Sequence, residues 1–291
     1  MLFPEYSRGR LQKWIRSGDL TVDGRVVKPT YRINAYEELV LDAEAERQGE
    51  VIAQDIPLDI IHADDDLVVI NKPAGLVVHP AVGNRDGTLQ NALLHFDENL
   101  ATLPRAGIVH RLDKDTSGVM VVARSLRAHT RLVEQLQSRR MSRIYRAIVT
   151  GEMITGGTVD APVGRHPRER KRMAVVTSGK PAISHYRVLQ RFPGVTALEV
   201  SLESGRTHQI RVHMTHIGHP LVGDPVYGRP MKAKKGLPAA VLDCVRSFPR
   251  QALHARTLTL VHPANSEEVT FQAPLPEDIR GLLAKLAAAS P

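Results

Sequence analysis

A polar loop caught between two apolar segments constrains this chain more than any other stretch. Residues 107–118 read GIVHRLDKDTSG; Ile108 and Val109 lead in, and Val119, Met120, Val121 and Val122 lead out as a β-branched run of the kind that forms a buried strand. His110, Arg111, Asp113, Lys114 and Asp115 put five ionisable groups into six positions. A loop pinned at both ends to a core cannot carry its charges far into water, so they must be paired or face a cleft. A solvated turn in which Asp115 or Ser117 caps neighbouring backbone is the bland alternative, and the rest of the chain decides between them.

The other bounds are few. A chain of 291 residues can build one large core and a small satellite domain. A net charge of +8 and a pI near 9.8 favour an anionic partner, nucleic acid first. Aromatic residues are only 4% of the chain, too few for an extended base-stacking platform. The single cysteine, Cys244, excludes an internal disulfide or a thiolate metal cluster and suits a reducing compartment. No apolar run approaches the roughly 20 residues of a membrane helix, and MLFPEYSRGR has no signal-peptide hydrophobic region. The expectation is a cytoplasmic protein that does not engage membranes.

Charge marks the domain boundary. Residues 1–36 hold seven Lys or Arg and three acids, whereas residues 37–50 hold six acids and one Arg. Within the basic part, a helix capped by Ser7 puts Leu11, Trp14 and Ile15 on one face and Arg10, Lys13 and Arg16 elsewhere. A hairpin follows, pairing Leu20–Val22 with Val26–Val27 through an Asp23-Gly24 turn. So small a unit buries little, which leaves its basic face as its purpose or as mere solubilising charge. The expected division is a domain over 1–45, a linker over 46–56 and a main domain over 57–291.

In the main domain, Leu67–Ile70 reads as a strand ended by Asn71-Lys72-Pro73-Ala74-Gly75. Lys72 could reach a phosphate there or be an ordinary surface lysine. Residues 88–96 form a short helix, and Ser125 caps another in which Ala128, Leu132, Val133 and Leu136 recur at helical spacing. That helix leads to Arg139, Arg140 and Arg143, which suit a helix C-terminus and could face phosphates. Residues 144–149 alternate as a strand with Tyr145, Ala147 and Val149 on one face, where a tyrosine is usually core filler. The run RHPRERKR, 165–172, fits a basic hairpin tip that attracts nucleic acid without reading sequence, or a solvated loop. Leu198, Val200 and Leu202 alternate on a strand, and Ile210, Met214 and Ile217 follow on a helix ended by Gly218, so Arg206 falls at the junction, on the rim of a cleft. His208, His213, His216 and His219 lack the spacing of metal ligands on one helical face, and no metal is expected.

Taken together, NKPAGLVVHP, HRLDKDTSG, RIYRAIV, SGRTHQIRVH and RQALHA, in that order over nearly the whole chain, resemble the RluA family of pseudouridine synthases. The resemblance implies an α+β fold, a mixed and mainly antiparallel sheet with flanking helices and a catalytic cleft. It also implies a large-subunit (23S) ribosomal RNA or pre-ribosomal substrate, isomerisation of uridine to pseudouridine, and no cofactor, since nothing is oxidised or lost. Residues 7–33 resemble an αL RNA-binding motif shared with a small-subunit ribosomal protein, with its first helix expected to be missing; this implies phosphate contacts from Arg8, Arg10, Lys13 and Arg16. Arg168, Arg170 and Lys171 are expected to add to them. By motif position Asp113 is the carboxylate that attacks the sugar or takes its 2′-proton, with Asp115 its rival as judged from the residues alone. Arg206 matches the cation expected to pair with Asp113 and hold it ionised. Tyr145 matches the residue that stacks on uracil and takes the carbon 5 proton, Ile210 packs under the base, and Arg111 fills the space left by a flipped nucleotide. Lys72 and His110 complete the expected substrate contacts. A monomer is expected. Two other functions share these residues: a non-catalytic RNA-binding ribosome-assembly factor, and a hydrolase releasing free uracil.

Overall fold

The computed structural model describes residues 8–42, 51–81, 83–169, 172–233 and 237–290; the side chains of residues 8–10 and 13 lie outside that description. The chain divides into two compact units, Met1–Val51 and Ile52–Pro291.

In the smaller unit, α1 (Arg8–Ser17) buries Trp14, half-buries Leu11 and Ile15, and leaves Arg16 exposed. It stops at Gly18, whose N–H bonds back to Trp14 O. The expected Ser7 cap, and the side chains of Arg8, Arg10 and Lys13, lie outside the described residues. One expectation is corrected. Asp23 and Gly24 do form a tight turn with positive φ at both residues, and Val22 and Arg25 exchange hydrogen bonds across it. The chain then leaves, with Val26 62% exposed, and β1 (Leu20–Val22) pairs antiparallel with β2 (Leu39–Leu41) instead. Pro29 has no N–H to continue a ladder, while Asp23 takes the Glu38 N–H on its carboxylate and so draws the later segment alongside.

The larger unit contains β3 (Ile60–Ala63), β4 (Leu67–Lys72), α2 (Leu89–Phe96), β5 (Ser117–Ala123), α3 (Leu126–Gln137), β6 (Ser142–Thr150), β7 (Gly157–Asp160), β8 (Val163–Arg165) and β9 (Met173–Val175). After these come β10 (Ile183–Phe192), β11 (Val195–Leu202), α4 (Gln209–His216), α5 (Ala239–Ser247), β12 (Leu253–Val261), β13 (Glu268–Gln272) and α6 (Glu277–Ala288). Residues 52–56, expected in the linker, belong here: Ile52 O accepts from the Asn91 side chain, and Gln54 bonds to Asn91 O and the Gly87 N–H.

The main sheet runs β3-β4-β5-β12-β6-β11-β10-β7, with β13 also on β12. Every pairing is antiparallel except one: β5 and β12 run parallel, matching Ser117 with His254 and Gly118 with Ala255. All seven residues of β5 are buried, which explains why its sequence is apolar from Val119 to Ala123 rather than alternating. Leu89 and Leu93 of α2, Ala128 and Leu132 of α3, and Ile210 and Met214 of α4 join β4 and β5 in the principal core. Each large apolar side chain buried there stabilises the fold by about 1.5–3 kcal/mol. Thr88 and Asn91 cap α2 reciprocally, and the Ser125 hydroxyl accepts the Ala128 N–H at the start of α3. A second cluster sets α5 and α6 against Ile148, Phe192 and Val195.

The basic run forms the tip of the β8–β9 hairpin, with Arg168 exposed and Arg172 on Glu169 at 3.2 Å. Arg170 and Lys171 lie outside the described residues.

Candidate active site

The loop before β5 is held from behind at nearly every step. His110 turns back to the sheet, its Nε2 accepting the Val121 N–H at 3.1 Å, so its proton sits on Nδ1. Burial, with the Arg143 charge added, lowers its pKa to about 3 and keeps it neutral. The Asp113 carbonyl closes a turn with the Thr116 N–H. Lys114 O accepts from both Gly75 N and the Lys72 ammonium. Arg250 donates to Asp115 O and also forms two hydrogen bonds with the Asp278 carboxylate of α6. Gln251 donates to Thr116, and His254 Nδ1 lies 2.9 Å from Ser117 Oγ. Gly118, at φ +120°, lies so close to the Ala255 carbonyl that a Cβ there would overlap it. The segment RQALHA is therefore the rear support of the loop.

Lys72 is corrected from a substrate contact to an internal clip. It is fully buried, and its Nζ donates to Pro73 O, Leu76 O and Lys114 O at 2.7–2.9 Å, which uses the three N–H bonds of an ammonium. Burial lowers its pKa to about 7 against the opposing pull of Asp115 and Asp113.

Asp113 emerges from this frame at the floor of a cleft of about 570 Å³. Its cation is Arg211, not Arg206: Arg211 Nη1 donates to Asp113 Oδ2 at 3.1 Å. The same guanidinium makes a two-pronged pair with Asp224, Nε to Oδ2 at 2.7 Å and Nη2 to Oδ1 at 2.9 Å. Asp224 is fixed in turn by the N–H groups of Val226 and Tyr227. Burial works against both charges, but their pairing keeps the Arg211 pKa raised and the Asp224 pKa lowered. Arg206 precedes the left-handed residue His208 (φ 57°) that opens α4; it is exposed, and its Nε donates to Pro181 O at 3.2 Å. Arg211, inside α4, is buried between Asp113 and Asp224, whereas Arg206 lies before the helix and turns to Pro181, which is the physical reason for the correction.

His208 Nε2 stands 3.8 Å from the other Asp113 oxygen, and its Nδ1 meets Tyr227 Oη at 2.8 Å. Burial lowers the His208 pKa, opposed by Asp113. Tyr145 and Ile210 line the cleft as expected, both buried. Burial raises the Tyr145 pKa, so its phenol stays protonated. Arg111 lines the rim and is exposed. Arg105, Arg111, Arg139, Arg143, Arg206 and Arg211 face the cleft against two acids, Asp113 and Glu203. Such a lining suits a polyanion.

Among the described residues one group has metal-ligand spacing, His62, Asp64 and His262, and it lies outside this cleft. Both imidazole Nε2 atoms bond to Asp64 Oδ2, and His262 Nδ1 accepts the Ala264 N–H. That places the His262 proton on Nε2, the tautomer that donates to a carboxylate rather than ligating a cation.

The sequence reading missed Arg211, Asp224 and the triple support by Arg250, Gln251 and His254, and it set Arg143 at the end of a helix where the structure has it on β6. The signals were present: Arg211 is one step from Ile210 on the same helix, and Asp224 is the lone acid in HPLVGDPVYG.

Residues 66–216 match the RNA pseudouridylate synthase family. The chain is 58% identical over 285 residues to ribosomal large subunit pseudouridine synthase D of Pseudomonas aeruginosa, covering 98% of this chain and 89% of that one. It is 52% identical over 283 residues to the protein of the same name from Escherichia coli (strain K12), covering 97% and 87%. Among solved structures, human RNA pseudouridylate synthase domain containing 4 superposes with a TM-score of 0.60 at 28% identity, over 79% of this chain and 93% of that one. Human RNA pseudouridylate synthase domain containing 1 gives 0.58 at 25%, over 82% and 98%. The matched span holds the braced loop with Asp113 and the buried Arg211 beside it, and by these matches the chain belongs to the RNA pseudouridylate synthase family.

Proposed function

We propose that the protein isomerises uridines of large-subunit ribosomal RNA to pseudouridine, with Asp113 as the reacting carboxylate. The substrate class rests on the names of relatives more than half identical over most of their length. The chemistry rests on one observation: Asp113, which lines the cleft, meets Arg211 at 3.1 Å through Oδ2, while its Oδ1 accepts no hydrogen bond among the described residues and stands 3.8 Å from His208 Nε2.

A single guanidinium shared by two carboxylates leaves the trio with one net negative charge. Asp224 takes two of the hydrogen bonds, so Arg211 is immobilised and orients Asp113 without neutralising it fully. The free oxygen acts on the sugar as the bond from C1′ to N1 breaks, either at C1′ or at the 2′-proton. N1 leaves with the bonding pair, the uracil turns, and C5 bonds to C1′ as Asp113 releases the sugar or returns the 2′-proton; C5 then loses its proton and N1 gains one, so atoms balance with no oxidant or cofactor. Ile210 supports the base from below. Tyr145, neutral at rest, offers a ring face and an O–H, and takes the C5 proton only after C5 has become tetrahedral and acidic. Arg111 occupies the space vacated by the flipped nucleotide. The exposed Arg16 and the 165–172 tip add non-specific attraction to phosphates.

No helix among the described residues is long and apolar enough to cross a membrane. The protein acts as a cytoplasmic monomer on ribosomal RNA or a precursor particle, which sedimentation with and without the RNA checks. For the chemistry, Asp113→Asn should bind the RNA normally yet release no tritium from uridine labelled at C5. Release at the wild-type rate would remove Asp113 from the mechanism.

A further inference from the structure

Among the described residues, Arg143 is the buried cleft arginine whose charge meets no carboxylate. It is 8% exposed, its Nε is buried with no hydrogen-bond partner, and its guanidinium makes no hydrogen bond or ion pair among the described residues. The two acids that line the cleft are already engaged. Asp113 is on Arg211, and Glu203 is on Arg139 Nη1 at 2.6 Å and His185 Nε2 at 2.9 Å. An uncompensated buried cation is costly, and such a group persists where a ligand completes it. The surrounding structure makes room for this cation rather than a counter-charge. A Cβ at Gly205, in the loop before α4, would stand 2.6 Å from Arg143 Nη1, so a larger residue there would push the guanidinium aside.

Its position identifies the ligand. Arg143 and Tyr145 are two residues apart on β6, and both are buried on the same face, which separates them by about 6.6 Å along the strand. That is close to the separation of a nucleobase from its own phosphate. Before bond cleavage the uracil is neutral, so the permanent anion an RNA brings to this depth is a phosphodiester. We propose that Arg143, seated against Gly205, is a buried phosphate site for the backbone beside the target uridine, filled only when that nucleotide has entered the cleft. This rests on the function proposed above and adds the site that secures the flipped nucleotide.

The test measures equilibrium binding to a transcript of large-subunit ribosomal RNA across a potassium chloride series, in the Asp113→Asn background so that no product forms. Adding Arg143→Gln should weaken binding about 10- to 100-fold, the worth of a charge-assisted contact. The slope of log K against log salt should become shallower by about 0.7, one phosphate on a single strand. Arg143→Lys should keep the slope and lose part of the affinity. Gly205→Ala, which displaces the guanidinium without removing it, should weaken binding in the same direction. Arg143→Met should melt no lower than its parent, because it removes an unpaired buried charge.

Unchanged affinity and slope in Arg143→Gln would overturn the site. So would a fall in turnover alone, which would put Arg143 on the leaving uracil, or a melting temperature several degrees lower in Arg143→Met, which would make it an internal structural partner. Tritium release by the otherwise unaltered protein reports the isomerase separately. If it is absent while Arg143→Gln still loses affinity and slope, the phosphate site stands and the isomerase reading falls.

Discussion

At the scale of single residues, the decisive contact is between Asp113 and Arg211, and it separates two arginines that the motif SGRTHQIR offers five positions apart. Removing Arg211 leaves Asp113 and Asp224 facing each other without a cation, and breaking a buried pair in this way costs about 3–5 kcal/mol of stability. Arg211→Gln should therefore lower kcat by about 100-fold or more through misorientation of Asp113. Arg206→Ala, at an exposed side chain, should leave kcat within about threefold. Steady-state tritium release on both variants checks the pair, and the reverse order would restore Arg206 to the site. Asp113, Tyr145 and Ile210 were marked as neighbours through the family resemblance alone; local patterns read Tyr145 as core filler and left Asp115 a rival to Asp113. The sequence could not choose between Arg206 and Arg211, since the choice depends on a left-handed residue at 208 that local propensity does not announce.

At the scale of elements, the loop behaves as a part clamped between β4, β5 and β12. Lys72 closes three carbonyls from the β4 side, and Arg250 ties Asp115 O to α6 from the β12 side. Lys72→Met strands those carbonyls at about 1–3 kcal/mol each. Lys72→Met and Arg250→Met should each cut kcat about 10- to 100-fold while the dissociation constant for RNA holds, because they loosen geometry rather than remove cleft contacts. A change in RNA affinity with intact kcat would contradict this. Strands, caps and helix ends were legible from local pattern, as Ser125 and Gly218 illustrate. The parallel contact of β5 with β12 was not, because it joins residues 137 apart, and neither segment carries a mark of its partner. The same limit misassigned the partner of Leu20–Val22, whose turn was right and whose second arm was not.

For the whole molecule, pH and salt act through different groups. His110 and His254 are held neutral, with pKa values lowered to about 3 and about 4 chiefly by burial. Their unfolded forms titrate near 6.5, so between pH 6.5 and those values the unfolded chain binds more protons. Stability is thus complete above about pH 6.5 and is lost as pH falls, by about 1.4 kcal/mol per pH unit for each histidine well inside the window. Denaturant melts at pH 7 and pH 5 should show the loss, and His110→Asn should flatten it; an unaltered curve would mean the imidazole is not held neutral. Neutralising Arg168, Arg170 and Lys171 together should weaken binding to every RNA alike and make its salt dependence shallower, with kcat preserved. A net charge of +8 made this attraction readable at once, whereas the cleft's division into paired and unpaired arginines required the fold.

The single parallel pairing also orders events during synthesis. Arg250, Gln251, His254 and Asp278 are made well over a hundred residues after the loop they brace. A nascent chain arrested near residue 245 already contains Asp113 and Arg211 but has no rear wall behind Asp115 to Ser117. Competence therefore arrives late and at once, as β12 threads between β5 and β6, and a protease that cuts the loop in arrested chains but not in released ones would reveal the moment.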